Sequence, residues 1–178
     1  MNAKTIVVIL LALALLAGTA SAAATQVAIG TPQSGAGTTV IVPVTVSGAS
    51  NLGAMDIEVT YDPAVLKMTS AQMGSLSTNG FVEANEPQPG SALISFIDTQ
   101  GISGSGEIVK ITFEVSGSSG TSTPLTLQAR AYDLDLKDVP VTIQSGSVTV
   151  GAAKSGIELV AILVAVGFAF ICFGRRKS

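Results

Sequence analysis

The sequence has no histidine, no tryptophan and one cysteine among 178 residues. Without histidine there is no Ser-His-Asp or Cys-His nucleophile. The same absence excludes blue-copper centres and the usual catalytic zinc sites. The single Cys172 lies in the last apolar run, so the chain has no internal disulfide and no cysteine-based zinc site. Aromatic residues make up 4% and charged residues 12% of the chain. Between Ala23 and Ser155 eleven acidic side chains face five basic ones, a balance of −6 that argues against nucleic-acid binding. The length fits one domain. With both ends set aside, about 130 residues remain to fold in water, enough for one core burying roughly two thirds of the unfolded surface.

The two ends read as targeting and anchoring segments. Residues 1–22 have the form of a signal peptide: Lys4, an apolar run from Ile6 to Ala17, and a small-x-small cleavage site at Ala20-Ser21-Ala22. Residues 157–173 form a second apolar run, followed by Arg175-Arg176-Lys177. As a helix that run spans about 26 Å, slightly short of a hydrocarbon core of about 30 Å. The basic cluster marks the inner side, so 174–178 is expected to be a cytoplasmic tail. Residues 152–156 form a short stem. The expected location is the extracellular face of the cell membrane, reached by secretion and held by a C-terminal transmembrane anchor. The run and its basic tail also resemble the processed C-terminal sorting signals of prokaryotic surface proteins, although no LPxTG motif is present.

Residues 25–151 carry a strong period of two. Val40, Val42, Val44 and Val46 share one face. Val109, Ile111, Phe113 and Val115 alternate with polar residues, as do Leu125, Leu127, Ala129 and Ala131. Such alternation predicts strands with one dry and one wet face. Val139-Pro140-Val141-Thr142-Ile143 alternates likewise, with Val148 and Val150 continuing it, and further strands are expected at 25–29, 53–60, 66–71, 79–85 and 91–98. Turns are expected at Gly35-Ala36-Gly37, Ser47-Gly48, Asn79-Gly80, Pro87-Gln88-Pro89-Gly90, Gly104-Ser105-Gly106, Gly117-Ser118-Ser119-Gly120 and Ser145-Gly146. Tyr61-Asp62-Pro63 before Ala64-Val65-Leu66 predicts a single helical turn. About nine short strands with frequent turns specify an all-β sandwich, with Pro43 and Pro140 at edges, strand starts or bulges.

Several of these segments, taken in order, resemble a cohesin domain, the dockerin receptor of cellulosome-type assemblies. They are Val40-Ile41-Val42-Pro43-Val44-Thr45-Val46-Ser47-Gly48, then Asn51 to Tyr61 with the Tyr61-Asp62-Pro63 turn, Ile94-Ser95-Phe96-Ile97-Asp98, Gly106 to Val115, and Gly146-Ser147-Val148-Thr149-Val150. The resemblance implies a nine-stranded jelly-roll sandwich. It also implies a partner, a dockerin built from paired calcium-binding helix-loop segments, so calcium is expected on that partner and no cofactor on this chain. The family's binding face is formed by its eighth, third, sixth and fifth strands. Alternation places Ala54, Asp56, Glu58 and Thr60 outward on the third, Leu93, Ser95 and Ile97 on the sixth, and Thr126, Gln128 and Arg130 on the eighth. The candidate binding residues are therefore Asp56, Glu58, Leu93, Ser95, Ile97, Gln128 and Arg130. Asp56 matches the aspartate of the Asn-x-Asp pair known from the bacterial type, but Ala54 stands where the asparagine would be. That departure points to a different dockerin subset, or to a function without dockerin.

Other features read more plainly. Asp56 and Glu58 lie on one strand face without any sign of a cleft, so no catalytic pair is expected. Asp133-Leu134-Asp135-Leu136-Lys137-Asp138 has an acidic spacing, but an EF-hand requires glycine at its sixth position and glutamate at its twelfth. Those positions hold Asp138 and Gln144, so a solvated turn is expected and no metal site. Asp62 reads as a turn cap, and Tyr132 as an interface anchor or an isolated strand-end aromatic. The expected function is a non-catalytic cell-surface adhesion module, linked through its partners to polysaccharide binding and degradation. The alternatives are a carbohydrate-binding module and a structural surface-layer component. The first has little aromatic platform here beyond Tyr132 and Phe81; the second would self-associate through edge strands.

Overall fold

A computed structural model describes residues 24–152, which contain strands and turns but no helix. The apolar runs at 1–22 and 157–173 lie outside the described residues. The strands are β1 (Thr25–Ile29), β2 (Gln33–Gly35), β3 (Thr39–Thr60), β4 (Leu66–Met73), β5 (Gly80–Gln88), β6 (Ser91–Val115), β7 (Ser122–Asp133), β8 (Asp138–Val139), β9 (Val141–Gln144) and β10 (Gly146–Gly151).

Two strands are long enough to serve both layers of a sandwich. The first half of β3 lies between β1 and the second half of β6, with β9 and β4 outside. The second half of β3 lies between the first half of β6 and β7, flanked by β5 on one side and by β10 and β2 on the other. The separate strands and turns expected around Ser47-Gly48 and Gly104-Ser105-Gly106 are thus bent, continuous strands. The β3–β6 register shifts at Val44/Thr45, Val46/Ala49, Ala49/Leu52 and Leu52/Ala54. Gly48 (φ 70°) and Gly104 (φ 105°) adopt the left-handed backbone that such bulges use and that glycine takes without a Cβ clash. Turn and bulge draw on the same residues, which is why the pattern read as a turn.

Alternation holds within the sheets. Val40, Val42, Val44 and Val46 are buried, as are Ile111, Phe113, Leu125 and Leu127, in one core shared by both layers. Burying side chains of this size stabilises by about 1.5–3 kcal/mol each. The buried Tyr61 ring meets Phe113 edge-on, with centroids 5.0 Å apart.

Pro43 lies inside β3 rather than at an edge or strand start. Its carbonyl accepts from Gly30 N–H, one residue beyond the end of β1. The nitrogen of the same residue points to that side, where the β1 ladder stops, so a missing donor costs little. Pro140 separates β8 from β9. The 61–66 turn forms as expected: Val65 and Leu66 N–H donate to Asp62 O, and Ala64 N–H donates to Asp62 Oδ1 at 2.9 Å.

Candidate functional site

The second layer presents a sheet face whose outward side chains come from β5, β6, β3 and β7. On β3, Met55, Ile57 and Val59 are buried, leaving Asp56 exposed and Glu58 half-buried on the other face. On β6, Ile94 and Phe96 point in and Leu93, Ser95 and Ile97 point out. On β7, Leu127 and Ala131 are buried and Thr126, Gln128 and Arg130 exposed. All seven candidate binding residues therefore share one face.

Strand register sorts that face into rows. Phe81, Ile97, Ala54 and Tyr132 align across β5, β6, β3 and β7. The next row is Glu83, Ser95, Asp56 and Arg130, and the third is Asn85, Leu93, Glu58 and Gln128. Ser95 Oγ donates to Asp56 Oδ1 at 3.3 Å. A shallow depression of about 370 Å³ lies over the second and third rows, lined by Asp56, Glu58, Leu93, Ser95, Gln128 and Arg130. Phe81 is 62% exposed, Ile97 47% and Leu93 43%, a concentration of large apolar side chains in water.

The edge strand β5 is fastened at both ends. At its start, Ser77 Oγ donates to the buried Asp98 carboxylate at 2.5 Å, and Asp98 Oδ1 also accepts from Gln100 N–H. Toward its end, Tyr61 Oη donates to Glu86 Oε1 at 2.6 Å, while Gly90 N–H donates to the same oxygen. Burial, reinforced by the Glu86 hydrogen bond, pushes the Tyr61 hydroxyl pKa well above the usual phenol range. The neutral hydroxyl is therefore a fixed donor. These clamps hold the β5–β6 register that places Phe81 beside Ile97.

Charges on this face stand in no ion pair among the described residues. The ion pairs among the described residues are Lys110–Glu107 at 3.5 Å and Lys137–Asp135 at 3.4 Å, both elsewhere. Asp56, Glu58, Glu83 and Arg130 stand in neither. Among the described residues no group of three His, Cys, Asp or Glu side chains is placed to hold a metal. The Asp133–Lys137 segment is a self-capped turn, with Asp133 Oδ1 accepting from Asp135 and Lys137 N–H at 2.9 Å each.

A family model for the cohesin domain matches residues 25–150. The chain belongs to the cohesin family. A non-cellulosomal cohesin from the archaeon Archaeoglobus fulgidus superposes with a TM-score of 0.65 at 25% identity, covering 79% of this chain and 98% of that one. The sixth cohesin of scaffoldin B from Acetivibrio cellulolyticus, solved with a Cel5 dockerin variant, gives a TM-score of 0.64 at 26% identity over 71% of this chain and 99% of that one. Cellulose-binding protein A of Clostridium cellulovorans is 31% identical over 150 residues, which is 79% of this chain but 8% of that protein. The chain thus matches one module of a far longer relative. Cohesins are protein-binding modules, and no catalytic family is indicated.

On this cohesin, reading outward positions strand by strand omits part of the face. The fifth strand was expected on the face but no residue of it was picked out; Phe81 and Glu83 point outward by the alternation of β5, and their alignment with Ile97 and Ser95 comes from pairing with β6. Tyr132 joins the apolar row, where it lies half-buried opposite Ala54. Leu134 was read as part of a solvated turn, yet an added Cβ at the Gly53 bulge would stand 3.0 Å from Leu134 Cδ2. Its side chain covers that bulge.

Proposed function

We propose that this cohesin is a non-catalytic cell-surface receptor that holds dockerin-bearing proteins on its β5–β6–β3–β7 face. One observation carries the reading. A flat sheet face combines exposed Phe81, Leu93 and Ile97 with carboxylates and an arginine that have no ion-pair partner in the described residues. An apolar centre with a charged rim is the composition of a protein interface. Solved relatives that carry dockerins, such as the Acetivibrio complex, support the partner class. Asp56, Glu58, Leu93, Ser95, Ile97, Gln128 and Arg130 are the proposed contacts, and the dockerin is the proposed calcium carrier.

The reading extends to location. Residues 1–22 direct export, and 157–173 with the basic tail hold the jelly-roll module at the extracellular face of the cell membrane. A short stem keeps it near the surface and raises the effective concentration of whatever it captures. Similarity to a cellulose-binding protein supports polysaccharide-degrading enzymes as cargo.

The test is a binding panel. The full chain in mild detergent is titrated with purified calcium-loaded dockerins, including that of the Acetivibrio complex, then again with chelator. Calcium-dependent binding of at least one dockerin is expected. A folded chain that binds none of them overturns the reading.

A further inference from the structure

We infer that this face selects a partner helix lying across the strands, with an apolar seam on the Phe81–Ile97–Ala54–Tyr132 row and a basic residue over Glu83 at the β5 end of the next row. The inference rests on the proposed binding face and specifies the chemistry of what binds there. The row is uniformly apolar because position 54 is alanine, and it crosses four neighbouring strands in register.

Neighbouring strands lie about 4.8 Å apart, so the row is about 14 Å long. A helix rising 1.5 Å per residue covers that in about nine to ten residues, matching apolar positions i, i+3 or i+4, and i+7. A helix running along the strands instead would cross from the apolar row onto Ser95–Asp56 and then Leu93–Glu58, burying carboxylates beneath its seam at high desolvation cost.

The next row lies two residues along each strand, about 7 Å away, within reach of a side chain on the flank of that helix. Its charges are Glu83 and Asp56 toward β5 and β3, and Arg130 at the β7 end. None of the three is ion-paired among the described residues. A lysine or arginine on the flank is attracted over Glu83 at the β5 end, whereas toward β7 Arg130 offsets the pull of its neighbour Asp56, so the charge order also fixes which way the helix points. The Ser77–Asp98 and Tyr61–Glu86 clamps hold β5 in place beforehand, so little ordering cost falls on binding.

The experiment is a selection. Helices displayed on a stable three-helix bundle carry leucine at i, i+4 and i+7, with the flanking positions randomised among Lys, Glu and Ser. They are selected on the full chain and on its Glu83→Lys/Asp56→Lys variant. The expected result is enrichment of lysine on the flank at the β5 end only. The variant chain should enrich glutamate there instead. Phe81→Ala, at an exposed position on the edge strand, should weaken the selected helices by about tenfold. A melting curve for each variant confirms the fold.

Selected helices without a charge preference, helices indifferent to Phe81→Ala, or no enrichment at all would overturn the inference. Binding of a natural dockerin, measured in parallel on the same chains, separates the two readings. If a dockerin binds at this face while the helices behave in any of those ways, the receptor reading stands and the helix code falls. If no dockerin binds while charge-coded helices do, the face selects helices and the dockerin assignment falls.

Discussion

The outer faces of the two layers are built by the same alternation along the same two long strands, yet they differ in kind. On the first, Ile41 is the large apolar side chain in water, at 58% exposure, between Pro43, Thr45 and Thr112. One of its charge pairs closes: Lys110 reaches Glu107, three residues earlier on the same strand, at 3.5 Å, while Lys67 and Glu114 are in register across β4 and β6 without an ion pair among the described residues. On the second, three large apolar side chains stand in water and Asp56, Glu58, Glu83 and Arg130 lack ion-pair partners among the described residues. The first face closes one charge pair and shows one large apolar side chain. The second closes no ion pair among the described residues and shows three, and that combination marks where a partner belongs.

Four changes break or sharpen this contrast. Phe113→Ala empties space in the core that supports both faces and should cost about 3–5 kcal/mol, read from the denaturant midpoint; it removes the contrast by loosening both layers. Ile97→Lys with Asp56→Ala alters exposed positions on the second face. It should weaken dockerin binding by about 100-fold, or about 2.8 kcal/mol, with the melting temperature unchanged. Tyr61→Phe removes the donor to Glu86 and one fastening of β5, so it should cost about 1–2 kcal/mol of stability.

The Tyr61 change also has a pH signature. Its phenol pKa is raised in the folded chain, chiefly by burial and then by the Glu86 hydrogen bond. The unfolded chain therefore releases this proton first as pH rises. The stabilisation is complete below the ordinary phenol pKa of about 10 and declines above it. The phenylalanine variant should lose less stability than the parent between about pH 9 and 11, as followed by denaturant titration. The smallest effect is expected at Leu136, which is 79% exposed with φ 60°. Leu136→Gly removes a left-handed leucine that contacts neither face and should stabilise by about 0.5–1 kcal/mol, with dockerin affinity unchanged.

Much of this was legible along single strands. The period of two placed Met55, Ile57 and Val59 inside and Asp56 and Glu58 outside, and Asp62 emerged as the turn cap that its place before Pro63 implied. What was not legible depends on relations between strands. That Phe81 stands beside Ile97, and Glu83 in line with Asp56, follows from pairing between β5, β6 and β3 rather than from any local pattern. The breaks expected at Gly48 and Gly104 proved to be bends, because the positive φ that ends a strand in a turn also bends one at a bulge.

The most direct test of the binding face is a matched titration of one calcium-loaded dockerin against three full-length chains by calorimetry. They are the parent, the Ile97→Lys/Asp56→Ala variant of the second face, and an Ile41→Lys/Thr112→Ala variant of the first. The predicted result is loss of about 100-fold in affinity for the second-face variant and parental affinity for the first-face variant. Parental affinity in both, or a greater loss in the first-face variant, would contradict the assignment.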